Sequence, residues 1–302
     1  MLACLMHDLM ALEGSTMRIV LAVDGSDQSY YAARALEHLK QADKITALHA
    51  LDVPCPVFPM VMPEVANEIE RIAERRLREE GERIMKVVVS ILPPKTPTVS
   101  TRLETGKPAE VILSVAGEEQ ANMIVLGARG LGPVKELLLG SVSHRVLAHA
   151  PCPVLIVNRA MVSLSRILLP VQGPEDAEAA LRFLTAKPFK NPGEITVLSA
   201  EPYAQPVWPV GLPNKPLADD LFKITERFAG DIAAKLVALG YRATPVVRTE
   251  APGAAILRHA ATTKPDLIMM GSRGFGGVSR FLLGSVSHAV LNRAPCPVLI
   301  FR

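Results

Sequence analysis

At 302 residues the chain is about twice the size of an ordinary domain, so two domains are expected, each long enough to bury its own core. Its 49% hydrophobic and 21% charged residues exclude a disordered or fibrous chain. The 33 basic and 30 acidic side chains are interspersed to a net charge of +3, which gives no ground for a nucleic-acid or membrane-surface partner.

In chain order, the opening "MLACLMHDLMALEGST" is mildly apolar but has no basic start and carries Asp8 and Glu13, so residues 1–16 are set aside as an N-terminal extension rather than a signal peptide. Short β-branched runs then alternate with helix-length amphipathic stretches, the pattern of β-α-β units and a parallel sheet. Strands are predicted at 18–23, 44–51, 98–103, 122–127 and 153–157, and again at 166–171, 194–200, 243–249, 266–271 and 297–301. "MIVLG" and "LIMMG" are apolar throughout, as strands covered by helices on both faces should be. The charged stretch starting at Pro63 reads as a helix whose Val65, Ile69, Ile72 and Leu77 form an apolar stripe, with Glu74–Arg78 and Glu79–Arg83 paired on the wet side. Proline-rich pieces at 52–63 and 201–216 follow the second strand of each set and read as loops at the carboxyl end of the sheet. Three of the four cysteines, Cys55, Cys152 and Cys296, sit in P-C-P strings as small apolar residues. With Cys4 they show no metal-binding spacing, and a reduced cytoplasmic setting is expected. No apolar run approaches the roughly 18 residues of a membrane span.

The chain is one unit written twice. Residues 127–158 and 271–302 share 21 identities in 32 positions, and "RIVLAVDGSD" from Arg18 matches "RILLPVQGPE" from Arg166. Domains are therefore expected at 17–158 and 165–302. In the first, the fourth strand ends at Gly127, and Gly130 follows. After a nine-residue spacer Gly140-Ser141 opens a helix, with Ser141 predicted as its N-cap and Ser143 in its first turn. Glycines let backbone N–H groups approach an anion, and the helix start adds unpaired N–H groups and a positive dipole end, which together make a phosphate cradle. The spacing recurs without a slip at Gly271, Gly274, Gly284 and Ser285, with Ser287 in the place of Ser143. It is neither the G-x-G-x-x-G dinucleotide fingerprint nor a P-loop, which would need G-K-[ST].

The spacing G-x2-G-x9-G-S, found twice, together with "VDGS" at 23–26, resembles the universal stress protein family in its tandem form. The resemblance covers nearly the whole chain from Met17. It implies two tandem flavodoxin-like or Rossmann-like α/β domains, each a five-stranded parallel sheet with helices on both faces. It further implies an intramolecular pair of domains resembling a joined dimer, open to further homodimerisation, and ATP, with or without Mg2+, as the ligand of the nucleotide-binding branch. Carried over by residue, Asp24 contacts the adenine and the Ala50 backbone borders it, while Gly127, Gly130, Gly140, Ser141, Val142 and Ser143 surround ribose and phosphates. A carboxylate accepts a base N–H but repels a phosphate, so Asp24 belongs at the base end. Arg129 reads equally as a phosphate clamp or a solvent-exposed loop residue. The second unit departs from the pattern, with Gln172 in place of Asp24 and Pro174 in place of Ser26, so the first is expected to bind ATP better. No acidic pair stands beside the phosphate end to place a metal and a water, so slow or no hydrolysis is expected. The rival readings are a nucleotide-free interaction protein and a slow ATP hydrolase.

Overall fold

The computed structural model describes residues 17–53, 63–94, 98–130, 139–201, 215–272 and 283–301. The chain divides into two compact units, one spanning Thr16–Ala160 and the other beginning at Met161. The expected N-terminal extension, most of both proline-rich loops and Gly274 lie outside the described residues.

In the first unit β1 (Arg18–Ala22), α1 (Asp27–Ala35), β2 (Lys44–Leu51), α2 (Pro63–Ile91), β3 (Thr98–Thr105), α3 (Pro108–Glu118), β4 (Met123–Gly127), α4 (Ser141–His149) and β5 (Val154–Val157) follow one another. All strand pairs are parallel and the order is β3-β2-β1-β4-β5. The second unit repeats this with β6 (Arg166–Pro170), α5 (Pro174–Thr185), β7 (Glu194–Ala200), α6 (Lys215–Ala238), β8 (Arg242–Arg248), α7 (Pro252–Thr263), β9 (Leu267–Gly271), α8 (Ser285–Leu291) and β10 (Val298–Phe301), in the order β8-β7-β6-β9-β10. The expected α/β class and parallel sheets are what the structure shows, each strand within two residues of its predicted bounds. In the first unit α1 packs against α2 and α3 against α4, so helix pairs cover the sheet. The central strands β4 and β9 are buried at every residue, which is why their sequences are apolar throughout.

Strand registers locate where the copies differ in length. The second unit has two more residues between its first two strands and six fewer between its second and third, where α6 is 24 residues long against 29 for α2. The apolar stripe predicted on α2 is corrected by the structure. Val65, Ile69 and Ile72 are exposed, while Gly81, Ile84, Met85 and Val88 make the buried face against the sheet. Gly81 is what lets the helix approach, since a Cβ there would stand 2.9 Å from both His49 and Leu103 side chains. On the wet side Glu74–Arg78 is formed at 3.3 Å, but Arg83 pairs with Glu80, not Glu79.

One core position breaks the repeat. Val115 on α3 is 2% exposed, and its counterpart on α7 is His259, 8% exposed, whose Nδ1 has no hydrogen-bond partner. Burial, and then the Arg248 charge, hold its pKa below the ordinary 6.5. The unfolded chain therefore takes up this proton first, and stability falls as pH drops below about 6.5. His259→Val is expected to stabilise the second unit by about 1 kcal/mol at neutral pH and by more at pH 5, read by thermal unfolding at both pH values.

Candidate functional site

Both units reverse strand order between their first and fourth strands, so a crevice opens where β1 and β4, or β6 and β9, end. Asp24 lies just past β1. Its Oδ1 accepts the Ser26 backbone N–H at 3.0 Å and the Ser26 hydroxyl at 2.6 Å, and the same hydroxyl caps α1 by accepting from Ser29 N at 3.3 Å. The other oxygen, Oδ2, faces the glycine loop so closely that a Cβ built at Gly130 would overlap it. The strand-end acid and the loop predicted to hold phosphates thus meet at the switch point. Gln28, the second residue of α1, fastens the same loop, its Oε1 accepting the Arg129 backbone N–H at 2.7 Å. Sequence reasoning missed Gln28.

The neck of the loop is closed by Gly140 N donating to Ala128 O at 2.7 Å, and in the second unit by Gly284 N donating to Ser272 O at 2.8 Å. Residues 131–138 and 273–282, including Gly274, fall outside the described residues. The helix cap differs from the sequence reading. Gly140 and Gly284, with extended backbones, are the N-caps, and Ser141 and Ser285 are the first helical residues, both exposed. The buried Ser143 hydroxyl donates to Gly127 O at 2.8 Å, and Ser287 repeats the bond to Gly271 O at 2.8 Å. These hydroxyls tie the helix to the end of the fourth strand, so what Ser141, Val142 and Ser143 offer a ligand is the run of first-turn N–H groups that no helical carbonyl takes.

At the end of the first strand of each unit a second strut is duplicated with different chemistry. His49 Nδ1 donates to Val23 O at 2.8 Å, while Ser199 Oγ donates to Val171 O at 3.0 Å. Neither was singled out in the sequence, and only alignment of the second strands exposes the pair. Each fixes the carbonyl beside Asp24 or Gln172, with Ala50 or Ala200 next on the strand, and Ala200 lines a cleft. In the second unit a small open cleft of about 30 Å³ is lined by, among others, Gln172, Asp176, Ala200, Gly271, Val286 and Ser287. Five of these six are the repeat counterparts of residues predicted for the first unit's site: Asp24, Ala50, Gly127, Val142 and Ser143. The remaining lining is mostly apolar, as suits the flat ring of a base.

The Universal stress protein family matches twice, over residues 16–158 and 164–302. The chain belongs to that family. A universal stress protein of Mycobacterium tuberculosis is 26% identical over 296 residues, covering 94% of this chain and 96% of its own length, so the tandem form is shared. A universal stress protein of Thermus aquaticus is 39% identical over 144 residues, 46% of this chain and 97% of its own. Among solved structures, a universal stress protein from Archaeoglobus fulgidus matches with a TM-score of 0.60 at 22% identity over 94% of this chain and 96% of its own, a likeness of fold. Membership in the family supports a role in stress response. Among the described residues no helix is long and apolar enough to cross a membrane, and no three His, Cys, Asp or Glu side chains gather as metal ligands.

Proposed function

We propose that this universal stress protein is an adenine-nucleotide-binding module that holds ATP, with or without Mg2+, as a regulatory ligand and turns it over slowly or not at all. The observation that carries this reading is the meeting of Asp24 Oδ2 with Gly130, an approach so close that a Cβ at residue 130 would overlap the carboxylate. In the first unit Asp24 and the Ala50 backbone would take the base. Gly127, Arg129, Gly130, Gly140, Ser141, Val142 and Ser143 would take ribose and phosphates, chiefly through backbone N–H groups. In the second, Gly271, Gly274, Gly284, Ser285 and Ser287 would do the same. Bound ATP would supply a charged polyphosphate for the unpaired N–H groups at the helix start to hold. The first unit, with Asp24 at the strand end, is the tighter site, and the protein acts in the cytoplasm.

The test is whether protein as purified carries adenine nucleotide, seen in its absorbance ratio and by chromatography after denaturation, followed by calorimetric titration of ATP. Asp24→Ala is expected to weaken the first site about tenfold through loss of a charged hydrogen bond to the base. Gly130→Ala is expected to do the same by displacing the Asp24 carboxyl. It should leave thermal stability within about 1 kcal/mol, because the clash is with a side-chain end rather than backbone. Purified protein that carries no nucleotide and shows no affinity for ATP would favour the interaction-protein reading instead.

A further inference from the structure

Between the two units a carboxyl and a side-chain amide have changed places. The first unit reads "DGSDQ" at 24–28 and the second "QGPED" at 172–176, so Asp24 and Gln28 correspond to Gln172 and Asp176. The loss of Asp24 from the second copy is therefore only half of the change. Both line the cleft, but Gln172 is exposed, whereas Asp176, four residues on in α5, is half-buried in the lining it shares with Val171, Leu198, Ile256 and Met270. Hydrocarbon walls make this an expensive place for a carboxylate. Among the described residues the donor it meets is the Gln172 backbone N–H, a bond that an asparagine would accept equally well without the charge. What the carboxylate adds is a second acceptor oxygen and a negative charge, and both favour an N–H donor arriving with a ligand.

We infer that the second unit's cleft takes an aromatic nitrogen base bearing an exocyclic amine, with Asp176 accepting the amine N–H, so that the acidic base contact has moved from the strand end to the first turn of α5. The inference rests on the nucleotide reading above and assigns the second unit its own discriminating residue. The two sites then select the same base by different geometries, the first from the end of β1 and the second from the opposite side of the strand-to-helix turn. Because a site built to hydrogen-bond an amine is left with an unpaired charge when the amine is missing, Asp176 also sets how strongly the second unit rejects bases without one.

The experiment is calorimetric titration of the full chain carrying Asp24→Ala and Gly130→Asp, the second adding a carboxylate that repels phosphate so that the pair silences the first unit, with ATP and with purine riboside 5′-triphosphate, which lacks the amine. One remaining site is expected, preferring ATP by about tenfold or more. Adding Asp176→Asn should cost about tenfold in ATP affinity and bring the two nucleotides within about threefold of each other. The same substitution alone in the otherwise native chain should reduce two sites to one under matched conditions. Thermal unfolding confirms folding of each variant, and Asp176→Asn is expected to be the more stable protein, so lost affinity would not reflect lost structure. An ATP affinity of the second site unchanged by Asp176→Asn overturns the inference and leaves the nucleotide reading standing. So does a silenced chain that binds nothing while the native chain binds one ATP. No ATP binding by the native chain overturns both.

Discussion

Gly193→Ala is expected to destabilise the second unit by about 2–3 kcal/mol and to lower its unfolding temperature by roughly 5–10 °C in a thermal scan. Gly193 immediately precedes β7, where Gly193 N donates to Leu164 O at 2.7 Å and Glu194 N to Ser165 O at 2.9 Å. The two chain segments run so close that a Cβ at 193 would fall on the Ser165 backbone, overlapping its Cα, C and O together. Nothing there can rotate aside. Ser165 is itself held, since Asp266 Oδ2 accepts the N–H groups of Ser165 and Arg166 at 2.8 and 2.9 Å, so a displacement would spread into the start of β6. The first unit solves the same junction with a side chain. Asp43 stands at the corresponding turn, its N–H donates to Met17 O at 2.8 Å and its carboxylate takes the Met17 N–H. An alanine there meets no such backbone, so Asp43→Ala should cost only the lost hydrogen bond, about 1 kcal/mol, and the contrast between the two variants isolates the backbone approach.

Which parts of this structure could be read from the sequence follows from what each signal measures. The parallel strands were legible because "MIVLG" and "LIMMG" can only be buried on both faces, and the duplication fixed their correspondence. The stripe on α2 was misplaced because periodicity tells which residues share a helix face but not where the sheet beneath it ends. Val65, Ile69 and Ile72 share a face, yet among the described residues the buried positions of the helix begin only at Gly81. The helix continues to Ile91 through Val87, Val88 and Val89, where packing of Val88 outweighs weak helix propensity. Ser141 has the composition of a cap, but the extended backbone one residue earlier gives the role to Gly140, and that choice lies in dihedral angles. At the site, the glycines and Asp24 were visible as motif residues. Gln28 and Asp176 were not, because their meaning appears only when two positions four residues apart are compared together across both copies. His49 and Ser199 carry the same strut with unrelated side chains, so no residue identity marks them.

Asp176→Asn is expected to stabilise the protein at pH 7.5 and to have no effect at pH 4. Burial raises the Asp176 carboxyl from 3.8 to about 6, the Gln172 N–H opposing the rise and the neighbouring Glu175 adding to it. A raised carboxyl means that the folded chain keeps its proton at pH values where the unfolded chain has already lost it. Stability therefore falls as pH climbs from about 4 to about 6, and the full cost stands above that window. The shift taken at face value corresponds to about 3 kcal/mol, and because Asp176 is partly open to solvent, screening reduces the expected gain to about 1–2 kcal/mol. The asparagine chain should unfold roughly 3–6 °C higher at pH 7.5, with the difference closing as the pH approaches 4. His259 has the opposite slope, losing stability on acidification, so the two titrations separate when each variant is scanned against pH. A carboxylate that lowers stability at neutral pH, in a cleft where its amide would fit, is the signature of a residue kept for a ligand rather than for the fold. If the asparagine variant gains stability and loses affinity at the second nucleotide site together, both effects trace to the same carboxylate.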